Sequence, residues 1–222
     1  MATRPYSVRA DSSSDNASEL FDVVDEHDHV IGQARRGKVH HNPAFIHRSV
    51  QILVFDRQGR MLLQRRSQSK DLFRGYYCAS ASGHVLAGDK YPPTAERELR
   101  EELGVDLPLT YFGRVLVRSK VETEITALFA ARCDGPFTFH PTETDGGAFF
   151  SRAEVREGLA KHTLPLTPAL RAALQWLESP ASRELANSVG WRRSDRGDEN
   201  ERSERGQARR RGGFALRHAP DV

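Results

Sequence analysis

The stretch from Gly83 to Val105 constrains this chain more than any other. Its second half, RELREELGV, places Glu98, Glu101 and Glu102 within five positions. The surrounding pattern predicts a helix. Pro92 and Pro93 suit a first turn, Ala95, Leu99 and Leu103 form an apolar stripe, and Gly104 suits the residue just past the end. Wound into that helix, the three acids stand at i, i+3 and i+4 and share one face. Like charges so placed repel by about 0.2–0.5 kcal/mol per pair. A solvated acidic face is the bland alternative, but glycines and apolar positions on either side tie this segment to a packed helix. A hard divalent cation such as Mg²⁺ takes oxygen ligands and carries phosphates in with it. The segment therefore points to a metal-phosphate site.

At 222 residues and a formal charge of +3, the chain fits one domain of ordinary size with tails. No apolar run approaches the roughly 20 residues of a membrane helix, which argues against a membrane protein. The N-terminus lacks an apolar core of the signal-peptide kind. The two cysteines, Cys78 and Cys133, make neither a disulfide framework nor a CxxC pair, so a reducing cytoplasm is the expected location. Residues 180–222 hold ten Arg against seven acids, which accounts for the whole net charge. That stretch has few aliphatic residues and no period, and it reads as a disordered tail; residues 1–18 read the same way. Arg209 to Arg211 offer a charge cluster, taken here as solvated rather than as a nucleic-acid contact. Residues 19–179 remain as the folded domain.

Within it, Phe21–Asp25 and Val30–Gln33 read as strands around a turn at Asp28 and His29, and Arg35–His41 as a short polar connector. Ser49–Phe55 reads as a buried strand paired, through a turn at Asp56–Gly59, with Arg60–Arg66. Phe73–Gly83 reads as the approach to the acidic helix. Val115–Val117, Glu124–Ala131 and Gly147–Phe150 supply further strands, and Ala153–Ala160 and Thr167–Leu177 helices. The pattern implies an α/β fold, an α/β/α sandwich with a mixed β-sheet.

The acidic segment also resembles the Nudix box: Gly, five residues, Glu, seven residues, then Arg-Glu-aliphatic-any-Glu-Glu-any-Gly-aliphatic. Gly83, Arg97, Glu98, Leu99, Glu101, Glu102, Gly104 and Val105 match in spacing and type, and Asp89 replaces the usual first Glu. The resemblance implies the same sandwich and a hydrolase of small-molecule diphosphates using Mg²⁺ or Mn²⁺. Glu98, Glu101 and Glu102 are then catalytic and metal-binding, Gly83 lies at the substrate, and Arg97 and Gly104 are structural. Homodimers are common in the family, so a homodimer is compatible with it, although no residue pattern here specifies one.

A second set resembles isopentenyl-diphosphate isomerase, a Nudix relative that holds a metal through two histidines seven residues apart, one after the box glycine, and a Glu-x-Glu pair. His40, His47, His84, Glu122 and Glu124 match that spacing and imply a second site suited to Zn²⁺, Mn²⁺ or Fe²⁺. Arg36, Arg66 and Lys70 match basic positions that hold the diphosphate there. The similarity covers residues 21–178. Two departures separate this chain from the isomerase: Ser82 stands where the isomerase has a Cys, and Leu164 aligns with its shielding Trp. A Ser hydroxyl is a far poorer proton donor or acceptor than a thiol near neutral pH. The box acids, in contrast, are retained. The expected function is hydrolysis of a nucleotide-like or other organic diphosphate, with Glu98 as first candidate for the base and Glu143 or Asp145 behind it. Isomerisation of isopentenyl diphosphate and a non-catalytic nucleotide-binding module are the alternatives.

Overall fold

The computed structural model describes residues 16–70 and 72–193. The expected N-terminal segment up to residue 15, and the Arg-rich tail from residue 194 with Arg209 to Arg211, lie outside the described residues. No helix among the described residues is long and apolar enough to cross a membrane.

The centre is β3 (Ile46–Phe55), whose alternation buries a different set of side chains on each face. Strand β8 (Thr123–Arg132) runs parallel to it over ten residue pairs, from Ile46 opposite Thr123 to Phe55 opposite Arg132. On its other side β6 (Ala81–His84) runs antiparallel, with Ser49 opposite His84 and Gln51 opposite Ser82. β7 (Thr110–Arg118) extends the sheet beyond β8. The hairpin of β1 (Leu20–Val24) and β2 (Val30–Arg35) joins at the start of β3. At its end the chain turns into β4 (Met61–Arg66), which pairs with β5 (Tyr77–Cys78) and β9 (Thr144–Phe150).

Helices cover both faces. Between them, α1 (Arg36–Val39) is a single turn leading out of β2, and α2 (Tyr91–Leu103) is the acidic helix. Two prolines open α2, and Gly104 closes it in the left-handed region at φ 68°, its N–H on the Arg100 carbonyl. The stripe of Ala95, Leu99 and Leu103 packs on Val50, Ile52 and Val54 of β3. On the opposite face Leu53 and Phe55 meet α3 (Arg152–Ala160) and α4 (Pro168–Glu178). A capping box between Ser151 and Glu154 starts α3, and Thr167 caps α4. The expected mixed-sheet sandwich is therefore the fold.

The structure departs from the expected boundaries in two places. Phe73–Gly83 is not simply an approach loop, because it contains β5 and most of β6. The folded chain also continues past residue 179, through α5 (Arg183–Ser188) to a turn at Trp191–Arg193. Trp191 is 1% exposed, meets Phe55 edge-on at 6.0 Å between ring centres, and donates from Nε1 to Glu178 (3.0 Å). Gly190 backs so closely on Gly59 that a Cβ there would lie 2.3 Å from the Gly190 carbonyl oxygen. Averaging composition over the whole Arg-rich stretch hid Ala186, Val189 and Trp191, which close the apolar core beneath α4. Trp191→Ala should cost about 3–5 kcal/mol of unfolding free energy, as removal of a buried aromatic does. Urea denaturation measures this, and a loss below about 1 kcal/mol would show that the C-terminal turn is not part of the core.

Candidate active site

Alternation along β6 places two chemical clusters on opposite sides of one short strand. Gly83 faces α2, and a Cβ there would stand 2.1 Å from the Glu98 carboxyl group. Only glycine leaves room for that acid where it is. Glu102 reaches the same strand, accepting from the Ser82 backbone N–H (3.0 Å) and from Gln64 Nε2 (2.9 Å). Arg97 pairs with Glu98 (2.7 Å) and Glu101 (2.9 Å). The three acids of the helix are not equivalent: Glu98 and Glu102 are largely buried, whereas the Glu101 side chain is 49% exposed.

Burial pushes Glu98 up to about 8, against the pull of Arg97, with Glu102, Glu101 and Glu143 adding repulsion. Burial likewise raises Glu102 to about 7, offset by the Ser82 N–H and by Arg66 and Lys70, and reinforced by Glu143. Glu143 thus projects its charge onto both buried acids while pairing with Lys70 Nζ at 2.9 Å. Lys70 is itself buried. Arg66 donates from Nε to the Leu72 carbonyl (3.2 Å). Asp145 is exposed on β9.

On the other face of β6 the histidines converge. One ligand atom from each of His40, His47, His84 and Glu122 lies within 4.8 Å of the others. Glu124 joins them, its Oε1 at 3.6 Å from His47 Nε2 and 3.5 Å from His84 Nε2. The β3–β8 register causes this by setting His47 directly opposite Glu124. Phe21 stacks against His47 and His84 with ring centres 5.5 and 5.0 Å apart. Arg36, also buried, donates to His84 Nδ1 at 3.1 Å. Burial lowers His47 to about 3 despite the attraction of Glu124, and it lowers His84 with help from Arg36, His40, Lys70 and Arg66. Both imidazoles are therefore neutral near pH 7, the form that ligates metals. Both ring nitrogens of His47 are buried without a hydrogen-bond partner among the described residues. Such a group costs about 1–3 kcal/mol left so, and a bound cation would relieve it. The donor set of imidazoles and carboxylates fits a transition metal.

Arg66 and Lys70 act electrostatically on both Glu102 and His84, so one basic edge serves the two clusters. The acids, histidines, basic residues and Gly83 expected to hold metal or substrate fall at one cluster or this edge; Asp145, Gly104 and Leu164 do not, Leu164 packing in the apolar core, and Asp89 lies in the turn after β6. The sequence reading passed over Gln64, Phe21 and Gln51. The one signal in the sequence is adjacency, Gln51 directly before the apolar run Ile52–Phe55 and Gln64 directly after Met61–Leu63.

Residues 45–177 match the NUDIX domain family. The chain belongs to that family. The Nudix hydrolase YfcD of Escherichia coli is 30% identical over 78% of this chain and 94% of its own length. The isopentenyl-diphosphate Delta-isomerase of Streptomyces avermitilis is 33% identical over 81% of this chain and 95% of its own. Among solved structures, a Deinococcus radiodurans protein superposes with a TM-score of 0.62 at 24% identity, covering 71% of this chain and 98% of that one. A MutT protein from Methanosarcina mazei gives 0.52 at 21% identity, over 64% and 96%. These two support the fold. As a member of the Nudix hydrolases, the protein is an enzyme acting on a small-molecule substrate that bears a diphosphate.

The buried acids have a thermodynamic signature. Glu98 and Glu102 bind protons more tightly folded than unfolded, so their contribution is fully present below their ordinary value of 4.5 and is lost as pH rises through about 7 and 8. The lowered histidines oppose this only below about 6.5, where their unfolded forms gain protons. Metal-free protein should therefore lose stability between pH 6.5 and 8.5, with a shallower fall in Glu98→Gln. Thermal unfolding in the presence of a chelator measures it, and a stability that rises across that window would contradict the burial of these acids.

Proposed function

We propose that this Nudix enzyme is a divalent-metal-dependent hydrolase that cleaves the diphosphate linkage of a nucleotide-like or other organic diphosphate. One observation carries the reading: Glu98 and Glu102 are buried side by side against β6, with Arg66, Lys70 and Glu143 acting on Glu102. Glu98, Glu101 and Glu102 would hold Mg²⁺ or Mn²⁺. When bound, such an ion neutralises phosphate charge and lowers the pKa of a water. His40, His47, His84, Glu122 and Glu124 would hold a second ion, Zn²⁺, Mn²⁺ or Fe²⁺.

The chain's own groups do the rest. Arg66 and Lys70 bind phosphate oxygens, with Arg36 serving the histidine side. Arg97 orients Glu98 and Glu101 through its two ion pairs rather than touching substrate. Gly83 keeps the space beside the Glu98 carboxylate free of a side chain. Glu98 is the first candidate for the base, because burial raises its proton affinity toward the working pH. Glu143 is the second and is tethered by Lys70. Asp145, exposed, drops out of that role.

Glu102→Gln should lower turnover at least about a hundredfold, as loss of a transition-state charge partner does. A phosphate-release screen over nucleoside di- and triphosphates, dinucleotides and coenzyme A, with Mg²⁺ and Mn²⁺, measures it. Full activity in both Glu101→Gln and Glu102→Gln would refute the assignment.

The assembled histidine-glutamate cluster favours one second reading, isomerisation of isopentenyl diphosphate. Ser82 weighs against it, and Cys78 offers no substitute acid, since burial pushes its thiol up to about 12. Incubation of isopentenyl diphosphate with the enzyme in D₂O should leave the carbon-bound hydrogens unexchanged; incorporation of deuterium would establish the isomerase instead.

A further inference from the structure

The histidine-glutamate cluster has a cationic neighbour on its outer side. Arg36 opens the single turn α1, which the His40 N–H closes on the Arg36 carbonyl at 2.9 Å. Residues four apart share a face, so the turn that delivers His40 to the cluster also brings the Arg36 guanidinium to its rim. Arg36 is buried there, with Nη1 3.1 Å from His84 Nδ1 and 3.4 Å from Glu19 Oε2. The other ring nitrogen of His84, Nε2, points inward. It lies 3.5 Å from Glu124 Oε1, the oxygen that is also 3.6 Å from His47 Nε2.

A guanidinium has donors only. Its bond to Nδ1 requires a lone pair there, which leaves the single proton of a neutral imidazole on Nε2, facing Glu124. Histidines that bind metals almost always show the reverse: the inner nitrogen is bare, and the outer N–H donates to a carboxylate, a carbonyl or water. A cation held between Glu124 and the inner nitrogens needs the His84 proton on Nδ1 instead. An Nδ1–H directed at Arg36 sets donor against donor, so the contact must break. We propose that Arg36 is a positioning residue with two alternative partners. Without a cation in the cluster it holds His84 Nδ1; with one, it turns to a phosphate oxygen of the substrate. A buried guanidinium that loses an acceptor needs another, and phosphate supplies one that carries charge. The cation and the phosphate then bind cooperatively, each raising the affinity for the other by the same factor. This inference rests on the proposed reading for the second ion and for Arg36 as a phosphate contact.

Nitrogen-15 NMR of the imidazoles tests the first half, with His84 assigned by the signals lost in His84→Gln. In chelator-treated wild type His84 should carry its proton on Nε2, and with Zn²⁺ bound it should carry it on Nδ1. A proton on Nδ1 from the start, or an Nδ1 still bare with Zn²⁺ bound, would overturn the proposal. The second half is read by titrating methyl phosphate calorimetrically into the full chain with and without Zn²⁺. Zn²⁺ should raise its affinity at least about fivefold in wild type, the lower end of ordinary coupling between sites, and by clearly less in Arg36→Met. An equal gain in both proteins would overturn the proposal, since the ion would then draw the phosphate by itself. Failure of Zn²⁺ to bind would remove the second ion and this inference with it, and leave the hydrolase reading of α2 in place. The tautomer switch and the coupling, found without turnover of any diphosphate, would leave the inference standing and remove the hydrolase reading instead.

Discussion

Two carboxylates forced against a strand set the terms for the rest of the molecule. Taking Glu98 and Glu102 out of water is costly unless their charge is answered. Each is answered from a different direction: Glu98 by Arg97 from its own helix, Glu102 by a backbone N–H of β6 and an amide from β4. The arrangement requires α2 to lie close over β6, which the apolar stripe on β3 provides and the missing Cβ of Gly83 permits. The helix is thus fixed in both rotation and height by contacts within a few residues of the acids. A site whose supporting groups are themselves packed holds its geometry better than one carried on a loop.

Strand β6 is the divider between two clusters of candidate metal ligands. Its odd residues, Ala81 and Gly83, turn to α2, while Ser82 and His84 turn to the histidine cluster. The parallel pairing of β3 and β8 completes that cluster by register alone. A slip of one residue would send Glu124 to the opposite face, away from His47. The basic edge of Arg66 and Lys70 then ties the clusters together electrostatically, although no single element carries both.

How far the sequence could be read follows from how local each feature is. The acidic helix was legible because its stripe, its prolines, its closing glycine and its three acids lie in one continuous segment. The histidine-glutamate set was legible only through family resemblance. Its members come from the end of α1, from β3, from β6 and from the start of β8, and no local period links them. Unequal burial of Glu98, Glu101 and Glu102 was not legible either, since all three share a helical face and only the distance to β6 separates them. Gln51 and Gln64 sit at the edges of apolar runs, and what each does depends on the strand that folds beside it. The C-terminal turn was missed for the opposite reason: four or five apolar residues were diluted by a long charged run.

Family membership leaves two chemistries within reach of this scaffold, because a fold positions groups without dictating the reaction. Phosphoryl transfer to water needs charge neutralisation and an oriented nucleophile, and the α2 side of β6 supplies acids and cations for both. Proton transfer at carbon needs, in addition, an acid and a base flanking one atom. On the histidine side Glu124 is available, but the residue that follows His84 on that face of β6 is Ser82, which offers a hydroxyl and no thiol, and the thiol of Cys78 is buried against the Gln64 carbonyl at 3.7 Å. On the proposed reading the difference between the two activities falls on Ser82, the same residue whose backbone N–H holds the Glu102 carboxylate. Its side chain and its main chain serve opposite faces of β6. A change of side chain there alters the chemistry open to one face without disturbing the carboxylate on the other.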